Sequence, residues 1–228
     1  MKHAIDRPTA TVEDYLQEIY DQLGDGKTVI AARLAERIGV SHPTAWATLQ
    51  RMQRDGLVEL RDRRDIHLTA RGAEAAQSIK RRHYLAERLV VDILGMGWAE
   101  SHVEAHRIEH AVSPKVEERI MALLGNPTTC PHGNPFPGLP RPPTVLLASL
   151  AEGDEREIDG VQEDAEDDAD LMRFLQEHHL VPGTTVRVIE VAAYNSTMTI
   201  EADGRRVVLG LSAAERLRVG DRVPAKSS

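Results

Sequence analysis

The segment Glu100–His110, ESHVEAHRIEH, concentrates side chains of the kinds that bind transition metals. On a helix, His102, His106, Glu109 and His110 fall within an arc of about 100°, so they share one face. His106 and His110 are four residues apart, a spacing that lets two imidazoles bind one ion, and Glu109 adds a carboxylate beside them. Nitrogen and oxygen ligands without thiolate suit manganese, ferrous iron, cobalt, nickel or zinc.

A second pair of the same kind lies at His83 and Glu87, again four residues apart. His102 is at the edge of the first face that is nearest to such a partner, so the pattern is compatible with two metal sites. A single His–Glu pair at this spacing is more often an ordinary pair on a helix surface. Four such residues on one face, together with a second pair, favour metal binding.

Helical spacing of apolar residues predicts three helices near the N-terminus, over TVEDYLQEIYDQLGDG, VIAARLAERIG and VSHPTAWATLQRMQRDG. Ser41 is a suitable N-cap for the third helix. The next segment, LVELRDRRDIHLT, is apolar, then charged, then apolar, which predicts a β-hairpin. Helix, short turn, helix and basic hairpin is the pattern of a winged helix-turn-helix.

The third helix of such a domain enters the major groove of DNA with its N-terminal end. The candidate contact residues there are Ser41, His42, Pro43, Thr44, Ala45, Ala47 and Thr48. The candidate phosphate contacts are Arg51, Arg61, Arg63 and Arg64. A winged helix that contacts protein is the alternative. The window Arg51–Arg82 has nine Lys and Arg against five Asp and Glu, which gives weak support to a nucleic-acid partner.

A long fourth helix is predicted over ARGAEAAQSIKRRHYLAERLVVDILG, and its apolar stripe exceeds what one small winged domain needs. Two further helices follow as far as Leu124, so the sequence predicts a helical dimerisation layer and a homodimer. The proline-rich segment NPTTCPHGNPFPGLPRPPT, residues 126–144, then ends this domain. After the acidic residues 151–170, short strands and turns predict a small β-barrel. The predicted fold is mostly α with β, and the predicted domains are 1–75, 76–143 and 144–228, the last with an acidic lead-in.

Composition excludes several classes of protein. No run approaches the roughly 18 apolar residues that cross a bilayer, and the N-terminus has no apolar signal core. We therefore expect a cytoplasmic protein that does not contact membranes. Cys130 is the single cysteine, which excludes an intrachain disulfide and a cysteine-cluster metal site. The net charge of −8 comes from residues 151–170, which hold eleven acids and one Arg.

Five short segments, YLQEIY, RMQRDGLV, RRHYLAERL, RIEH and GNPFPG, occur in the order found in a known family. By these segments the chain resembles the diphtheria-toxin-repressor family of iron- and manganese-dependent regulators, over nearly its whole length. The resemblance implies a repressor that binds operator DNA when it is loaded with metal. It also implies a winged helix, a dimerisation domain and, as in longer members, a Src-homology-3-like barrel.

The resemblance further implies two metal ions per subunit. By similarity, the ligands of the first site are Asp14, His106, Glu109 and His110. Those of the second site are His83, Glu87 and His102, completed by a side chain from the barrel domain. The acidic run EDAEDDAD lies where that side chain is expected. Asp168 is the nearest match, with Glu166, Asp167 and Asp170 as alternatives, because the run offers no anchor for the register.

The family's iron-responsive members place Met at the position of Asp14 and Cys at that of His106. A carboxylate in place of a thioether favours manganese, so we expect Mn(II), with Fe(II), Co(II) and Zn(II) as alternatives. Small manganese-responsive members carry Glu at the positions of Gln17 and His106. This chain has Glu at neither position. A capping box with Thr11 is a competing explanation of Asp14.

Two other functions compete with the repressor. A metallohydrolase of the zinc type often shows H-E-x-x-H, whereas the order here is H-x-x-x-H-x-x-E-H and no other catalytic constellation is present. We therefore do not expect an enzyme. A metal buffer with a winged helix that has lost DNA binding is the remaining alternative.

Overall fold

A computed structural model of the protein describes residues 7–24, 26–61 and 65–220. The chain forms two compact units. The first extends as far as Arg82 and includes the short segment Glu109–Val112. The second consists of His83–Ile108 and the chain from Ser113 onward. Among the described residues, no helix is long and apolar enough to cross a membrane.

The first unit is a winged helix-turn-helix, as predicted. Its elements are α1 (Ala10–Gly24), α2 (Ala31–Ile38), α3 (His42–Arg54), β1 (Val58–Leu60), β2 (Ile66–Leu68) and the first part of α4 (Ala70–Arg88). Its core is formed by the apolar faces of these elements. Leu16, Leu34, Leu49 and Ile66 are fully buried there. This burial holds α3 against the hairpin and leaves its other face in solvent.

Local sequence sets the turn between α2 and α3. Gly39 ends α2 with φ of 75°, a left-handed conformation that favours glycine. Ser41 then caps α3, because its hydroxyl oxygen accepts a hydrogen bond from the Thr44 N–H at 3.3 Å. At the start of α1 the prediction was wrong. The first amide bonds go to the carbonyl oxygen of Thr9, so Thr11 lies inside the helix and does not cap it.

The helical part of the second unit begins with the end of α4, which continues as a π-helical turn over Leu89–Ile93. After it come α5 (Ser101–Ile108) and α6 (Pro114–Leu123). On one continuous helix, His102, His106, Glu109 and His110 would share a face, as the sequence predicted. Instead, α5 ends at Ile108 and the chain tightens into a 3-10 turn over Glu109–Ala111.

The C-terminal part of the second unit is a six-stranded antiparallel sheet of the predicted Src-homology-3-like class. Its order is β3-β8-β4-β5-β6-β7. The strands are β3 (Thr144–Leu146), β4 (Glu155–Val161), β5 (Thr185–Ala192), β6 (Thr197–Ala202), β7 (Arg205–Gly210) and β8 (Leu217–Gly220). Two helices accompany them, α7 (Ala169–Glu177) and α8 (Leu211–Ala214).

The acidic stretch is more ordered than a lead-in. Its first half forms β4, which pairs with β5 and β8. Ile158 and Val161 are fully buried in the core of the sheet, which explains why this acid-rich segment forms a strand. The acids on either side of them stay at least partly exposed.

Gly72, in the first turn of α4, lies against the backbone at the start of the hairpin. A Cβ atom added there would be 1.9 Å from the carbonyl oxygen of Leu57. That oxygen also accepts a hydrogen bond from the Thr69 N–H at 3.0 Å. The Leu57 carbonyl group could move away from an added Cβ atom only by weakening its hydrogen bond with the Thr69 N–H.

We therefore expect Gly72→Ala to destabilise the first unit by about 1–3 kcal/mol, as other overpacking substitutions do. Urea unfolding of the metal-free protein, followed by circular dichroism, measures the change. Gly24→Ala is the matched control, because a Cβ atom there meets nothing within 4 Å. Equal unfolding midpoints for the two variants would contradict the close approach of α4 to Leu57.

Candidate metal centres and DNA-reading surface

The first candidate metal centre joins α1 to the 3-10 turn that follows α5. The Nε2 atom of His110 lies 3.0 Å from Asp14 Oδ1 and 3.4 Å from Glu109 Oε1. Glu109 is fully buried, whereas Asp14 and His110 are partly exposed. One imidazole nitrogen therefore faces two carboxylates, a donor set that suits a divalent cation without sulfur ligands.

A buried carboxylate that the sequence analysis did not single out orients this imidazole. Glu13 Oε2 lies 2.8 Å from His110 Nδ1, and only 2% of the Glu13 side chain is exposed. The other oxygen of Glu13 accepts hydrogen bonds from Arg7 at 2.9 Å and from Arg82 at 2.6 Å. In many metal sites a carboxylate accepts a hydrogen bond from the N–H of the imidazole nitrogen that does not bind the ion.

The electrostatics of Glu13 agree with that role. Burial alone raises its pKa, but the hydrogen bonds from Arg7, His110 and Arg82 outweigh burial and hold the pKa below its usual value. Glu13 therefore remains a carboxylate and accepts a hydrogen bond from the N–H at His110 Nδ1. The Nε2 lone pair is then left for a cation. The adjacent acids of VEDY in α1 were the available signal in the sequence.

The second candidate centre lies wholly within the second unit. His83 and Glu87 come from α4, His102 from α5, and Glu166 from the turn before α7. His102 Nδ1 is 3.0 Å from Glu166 Oε2, 3.1 Å from Glu87 Oε1 and 3.1 Å from His83 Nε2. Two ligands on bonds of about 2.1 Å at a right angle are about 3.0 Å apart. The observed spacing is thus that of ligands around one ion.

Unsatisfied atoms support the same interpretation. Within the described residues, Glu87 Oε2 is buried and has no hydrogen-bond partner, whereas Glu166 Oε2 lies against two imidazole nitrogens, of His102 at 3.0 Å and of His132 at 3.3 Å. Buried carboxylate oxygens without partners are costly, and a bound cation removes that cost. The residues present therefore fit a metal ion better than a purely structural hydrogen-bond network.

Charged imidazoles balance these carboxylates in the metal-free protein. Burial alone lowers the pKa of His102, but contacts with Asp167, Glu166 and Glu87 raise it well above the usual value. His132 is raised well above its usual pKa in the same way, by the charges of Glu166 and Glu87. The resulting stability is fully present below a pH of about 6.5 and is lost as the pH rises through the raised values. A cation that binds to these imidazole nitrogens must displace their protons, so metal binding releases protons into solution.

Cys130 and His132 extend this centre, and the sequence analysis did not predict their part. Together with Glu87 they form a further group of close ligand atoms. The ring of Trp98 packs edge-on against His132, with the ring centroids 4.8 Å apart. Burial raises the pKa of Cys130 to about 12, so the thiol is neutral when no metal is bound. A lone cysteine carries no pattern, and the Cys-x-His spacing in TTCPHGN was the only signal.

The acidic run contributes a different residue from the one preferred on resemblance. The Asp168 carboxylate caps α7 by accepting a hydrogen bond from the Leu171 N–H at 3.0 Å. Asp167 Oδ1 lies 3.2 Å from His102 Nε2. Glu166, one of the alternatives left open, enters the buried group. Its side chain also accepts a hydrogen bond from Asn134 at 2.7 Å, which fixes its orientation.

His106 also lies elsewhere than expected from the resemblance, which groups it with the first centre. Its Nε2 atom is 3.2 Å from His102 Nε2, and its ring centroid is 4.6 Å from that of His83. The reason is the end of α5 at Ile108. In the tighter 3-10 turn that follows, the residues turn by a larger angle per step, so Glu109 and His110 leave the face of His102 and His106.

The predicted DNA-reading residues lie mostly in solvent. Exposed positions on and before α3 are Ser41, His42, Pro43, Thr44, Ala47 and Arg51, and Thr48 is half-buried. Ala45 is fully buried in the core, so its prediction as a base contact was wrong. Arg61 is exposed and pairs with Glu59 at 3.2 Å. Arg63 and Arg64 lie outside the described residues.

Three family profiles match consecutive segments of the chain. The profile described as "Iron dependent repressor, N-terminal DNA binding domain" matches residues 8–66. The one described as "Iron dependent repressor, metal binding and dimerisation domain" matches residues 69–138. A FeoA domain profile matches residues 145–220, which include the six-stranded sheet.

Individual proteins match over similar lengths. The chain is 40% identical over 203 residues to the iron-dependent repressor IdeR of Mycobacterium leprae, which covers 83% of this chain and 88% of IdeR. It is 42% identical over 139 residues to the diphtheria toxin repressor of Corynebacterium diphtheriae, 61% of this chain and 60% of that protein. A solved structure of a manganese-dependent transcriptional repressor in complex with manganese aligns with a TM-score of 0.82 at 33% identity, covering 91% of this chain and 98% of the other.

Replacing Glu13 tests its control of the first centre. We expect Glu13→Ala to weaken binding of a divalent cation, titrated as Mn(II) and followed by electron paramagnetic resonance, by about 10–100-fold. The affinity of Glu13→Gln should fall between those of the unaltered protein and Glu13→Ala, because its amide oxygen can still accept a hydrogen bond from the N–H at His110 Nδ1. If Glu13→Ala bound Mn(II) as tightly as the unaltered protein, Glu13 would have no part in orienting His110.

Proposed function

Because the chain belongs to the iron-dependent repressor family and is a metal-dependent transcriptional repressor, we propose that Mn(II) activates it and that it binds operator DNA as a homodimer. The family is the one predicted from the sequence. Its members are repressors, so the chain is not an enzyme and the metallohydrolase alternative fails. Separate observations support Mn(II), the homodimer and the individual ligands.

The donor set of the first centre is the observation that supports Mn(II) as the activating metal. Asp14, Glu109 and His110 supply two carboxylates and one imidazole, all hard or borderline ligands. The structural neighbour at 33% identity is described as manganese-dependent, which agrees with this choice. The relatives described as iron-dependent, at 40% and 42% identity, keep Fe(II) as the second candidate.

For the second centre we propose His83, Glu87, His102 and Glu166 as ligands, with Cys130 and His132 beside them. The ligand atoms of these four residues lie close together, and Glu87 Oε2 is buried without a hydrogen-bond partner among the described residues, which supports this set. Two centres correspond to two ions per subunit. Bound Mn(II) would supply positive charge that neutralises the carboxylates at each centre.

The first unit carries the predicted reading helix α3, and we call it the DNA-reading unit. Metal at the first centre would act on this unit through a short segment. Glu109–Val112 belongs to that unit, although α5 and α6, which flank it in the chain, belong to the other. Arg7 already donates hydrogen bonds to the carbonyl oxygens of Glu109 and Val112. Without a cation, the carboxylates of Asp14 and Glu109 repel each other across His110. Relief of that repulsion would fasten the segment to α1 and stabilise the DNA-competent state.

Exposed apolar side chains in the second unit support the homodimer. Five of them come from the π-helical turn, its end, α5 and α6: Ile93, Leu94, Val103, Val116 and Leu123. Soluble monomers rarely expose so many large apolar residues in neighbouring elements, and a second copy of the chain would cover them. In a dimer, the two α3 helices would read half-sites about one helical turn of DNA apart, or a multiple of that distance.

A gel shift on the DNA upstream of the protein's own gene tests the repressor and its metal. We expect retardation to require Mn(II) and Asp14→Ala to lower the manganese-dependent gain in DNA affinity by about 5–150-fold, the usual size of such coupling. Asp14→Met should shift the preference toward Fe(II), titrated separately without oxygen. Glu177→Ala removes an exposed acid of α7 and serves as the control. Undiminished manganese dependence in Asp14→Ala would refute the first centre.

Sedimentation velocity at micromolar protein with Mn(II) tests the dimer. We expect the unaltered chain to sediment as a dimer and Leu94→Glu as a monomer, because a charge would have to be buried at the interface. Val208→Glu is the matched control, since Leu94 is 62% exposed and Val208, on β7, is 61% exposed. A monomeric unaltered chain, or equal sedimentation of both variants, would overturn the proposed interface.

A further inference from the structure

A cavity of about 410 Å³ lies in the DNA-reading unit, between the start of α1, the end of α3 and the start of α4. This volume is within the range of roughly 300–1,000 Å³ that is usual for ligand pockets. Its charged lining residues are Arg7, Arg51, Arg71 and Asp55. The cavity therefore has an excess of positive charge, although the chain as a whole is acidic.

Arg7 is held in place at the edge of this cavity. Its Nε donates to Glu13 at 2.9 Å and its Nη1 to the carbonyl oxygen of Val112 at 3.0 Å. Its Nη2 donates to Glu13 Oε2 and to the carbonyl oxygen of Glu109, both at 3.4 Å, so one of the five guanidinium N–H groups, on Nη1, remains for a ligand. A side chain that is already fixed loses little entropy on binding, which favours affinity.

The other two arginines have most of their donors free. Arg71 Nη1 donates to the backbone carbonyl of Asp55 at 2.8 Å, which uses one of five N–H groups. Within the described residues, the guanidinium of Arg51 makes no hydrogen bond or ion pair. Asp55 offsets one of the three positive charges and Glu13, which is paired with Arg7 at 2.9 Å, offsets a second, so a phosphate group with one negative charge would balance the remainder.

The remaining walls of the cavity strengthen these charges. Val12, Leu57 and Ala75 supply an apolar surface beside the guanidinium groups. An apolar wall lowers the local dielectric constant, so charges interact more strongly than they do in bulk water. Guanidinium groups bind phosphate oxygens in pairs of parallel hydrogen bonds, which a planar fork suits better than an ammonium group does.

We propose that this cavity binds a phosphate group, carried either by the DNA backbone or by free phosphate. The DNA source rests on the proposed function, whereas the free source does not. On DNA, the contact would position the reading unit on the duplex without reading bases, separately from the N-terminal end of α3. As a site for free phosphate, the cavity would make the DNA-reading unit responsive to an anion as well as to metal.

The first arm of the test titrates inorganic phosphate into the full-length protein by isothermal calorimetry, without DNA. If the source is free phosphate, we expect Arg71→Ala and Arg51→Ala each to weaken binding by at least about tenfold, the usual loss for a charge-assisted hydrogen bond. Arg33→Ala is the matched control. Arg33 is likewise exposed and donates one bond to a backbone carbonyl, that of Thr28 at 2.7 Å, but does not line the cavity.

The second arm measures DNA affinity with Mn(II) over a range of salt concentrations. If the source is the DNA backbone, Arg71→Ala should reduce the slope of log affinity against log salt by about 1, the value for one lost phosphate contact. Arg173→Ala, in α7, removes the same charge from the other unit and should leave the slope unchanged. Circular dichroism melting confirms that each variant is folded.

The two arms separate this proposal from the proposed function. Specific loss in either arm supports the cavity and identifies its source. If the unaltered protein binds no inorganic phosphate and Arg71→Ala keeps the full salt slope, the cavity is not a phosphate site. If the unaltered protein fails to bind DNA with Mn(II), the repressor proposal fails, and the calorimetric arm alone decides the cavity.

Discussion

Two carboxylates, Glu87 and Glu166, are buried side by side among imidazoles, and much of the second unit depends on how their charge is compensated. Burial alone would drive both toward the neutral acid, yet the surrounding imidazoles hold the pKa of Glu166 at about 2 and that of Glu87 well below its usual value. The compensating imidazoles come from α4, α5 and the proline-rich segment, and the two carboxylates come from α4 and the turn before α7. Neutralising this charge therefore also holds four separate parts of the chain together.

Compensation by protons and compensation by a metal ion have different consequences. Protonated imidazoles stabilise the metal-free unit at low pH, but they leave the buried carboxylate oxygens incompletely satisfied, because Glu87 Oε2 has no hydrogen-bond partner among the described residues. A divalent cation would engage those oxygens and displace the protons, so metal affinity must rise with pH in the range where the imidazoles titrate. The same ligands thus serve the structure without metal and the response to metal.

At the first centre, two arginines and a single imidazole keep a buried carboxylate ionised. Glu13 is a buried carboxylate that is held by two arginines and does not itself face the candidate ion. It leaves His110 with one nitrogen directed at Asp14 and Glu109. Arg7 reaches from this network to the cavity between α1, α3 and α4. One side chain therefore contacts both the surroundings of the metal centre and the phosphate site that we propose.

The sequence by itself determined the elements and most of the chemistry. Apolar spacing and the cap at Ser41 predicted α2, α3 and the hairpin, and the motifs predicted the family and seven of the residues that lie in groups of close ligand atoms, because these signals are local. Only the tertiary structure decided that Glu166 and not Asp168 enters the second centre, that Cys130 and His132 join it, and that Glu13 orients His110. Several acids in one run are chemically equivalent along the chain. What distinguishes them is which carboxylate is buried against an imidazole from a distant element, and packing alone sets that distance.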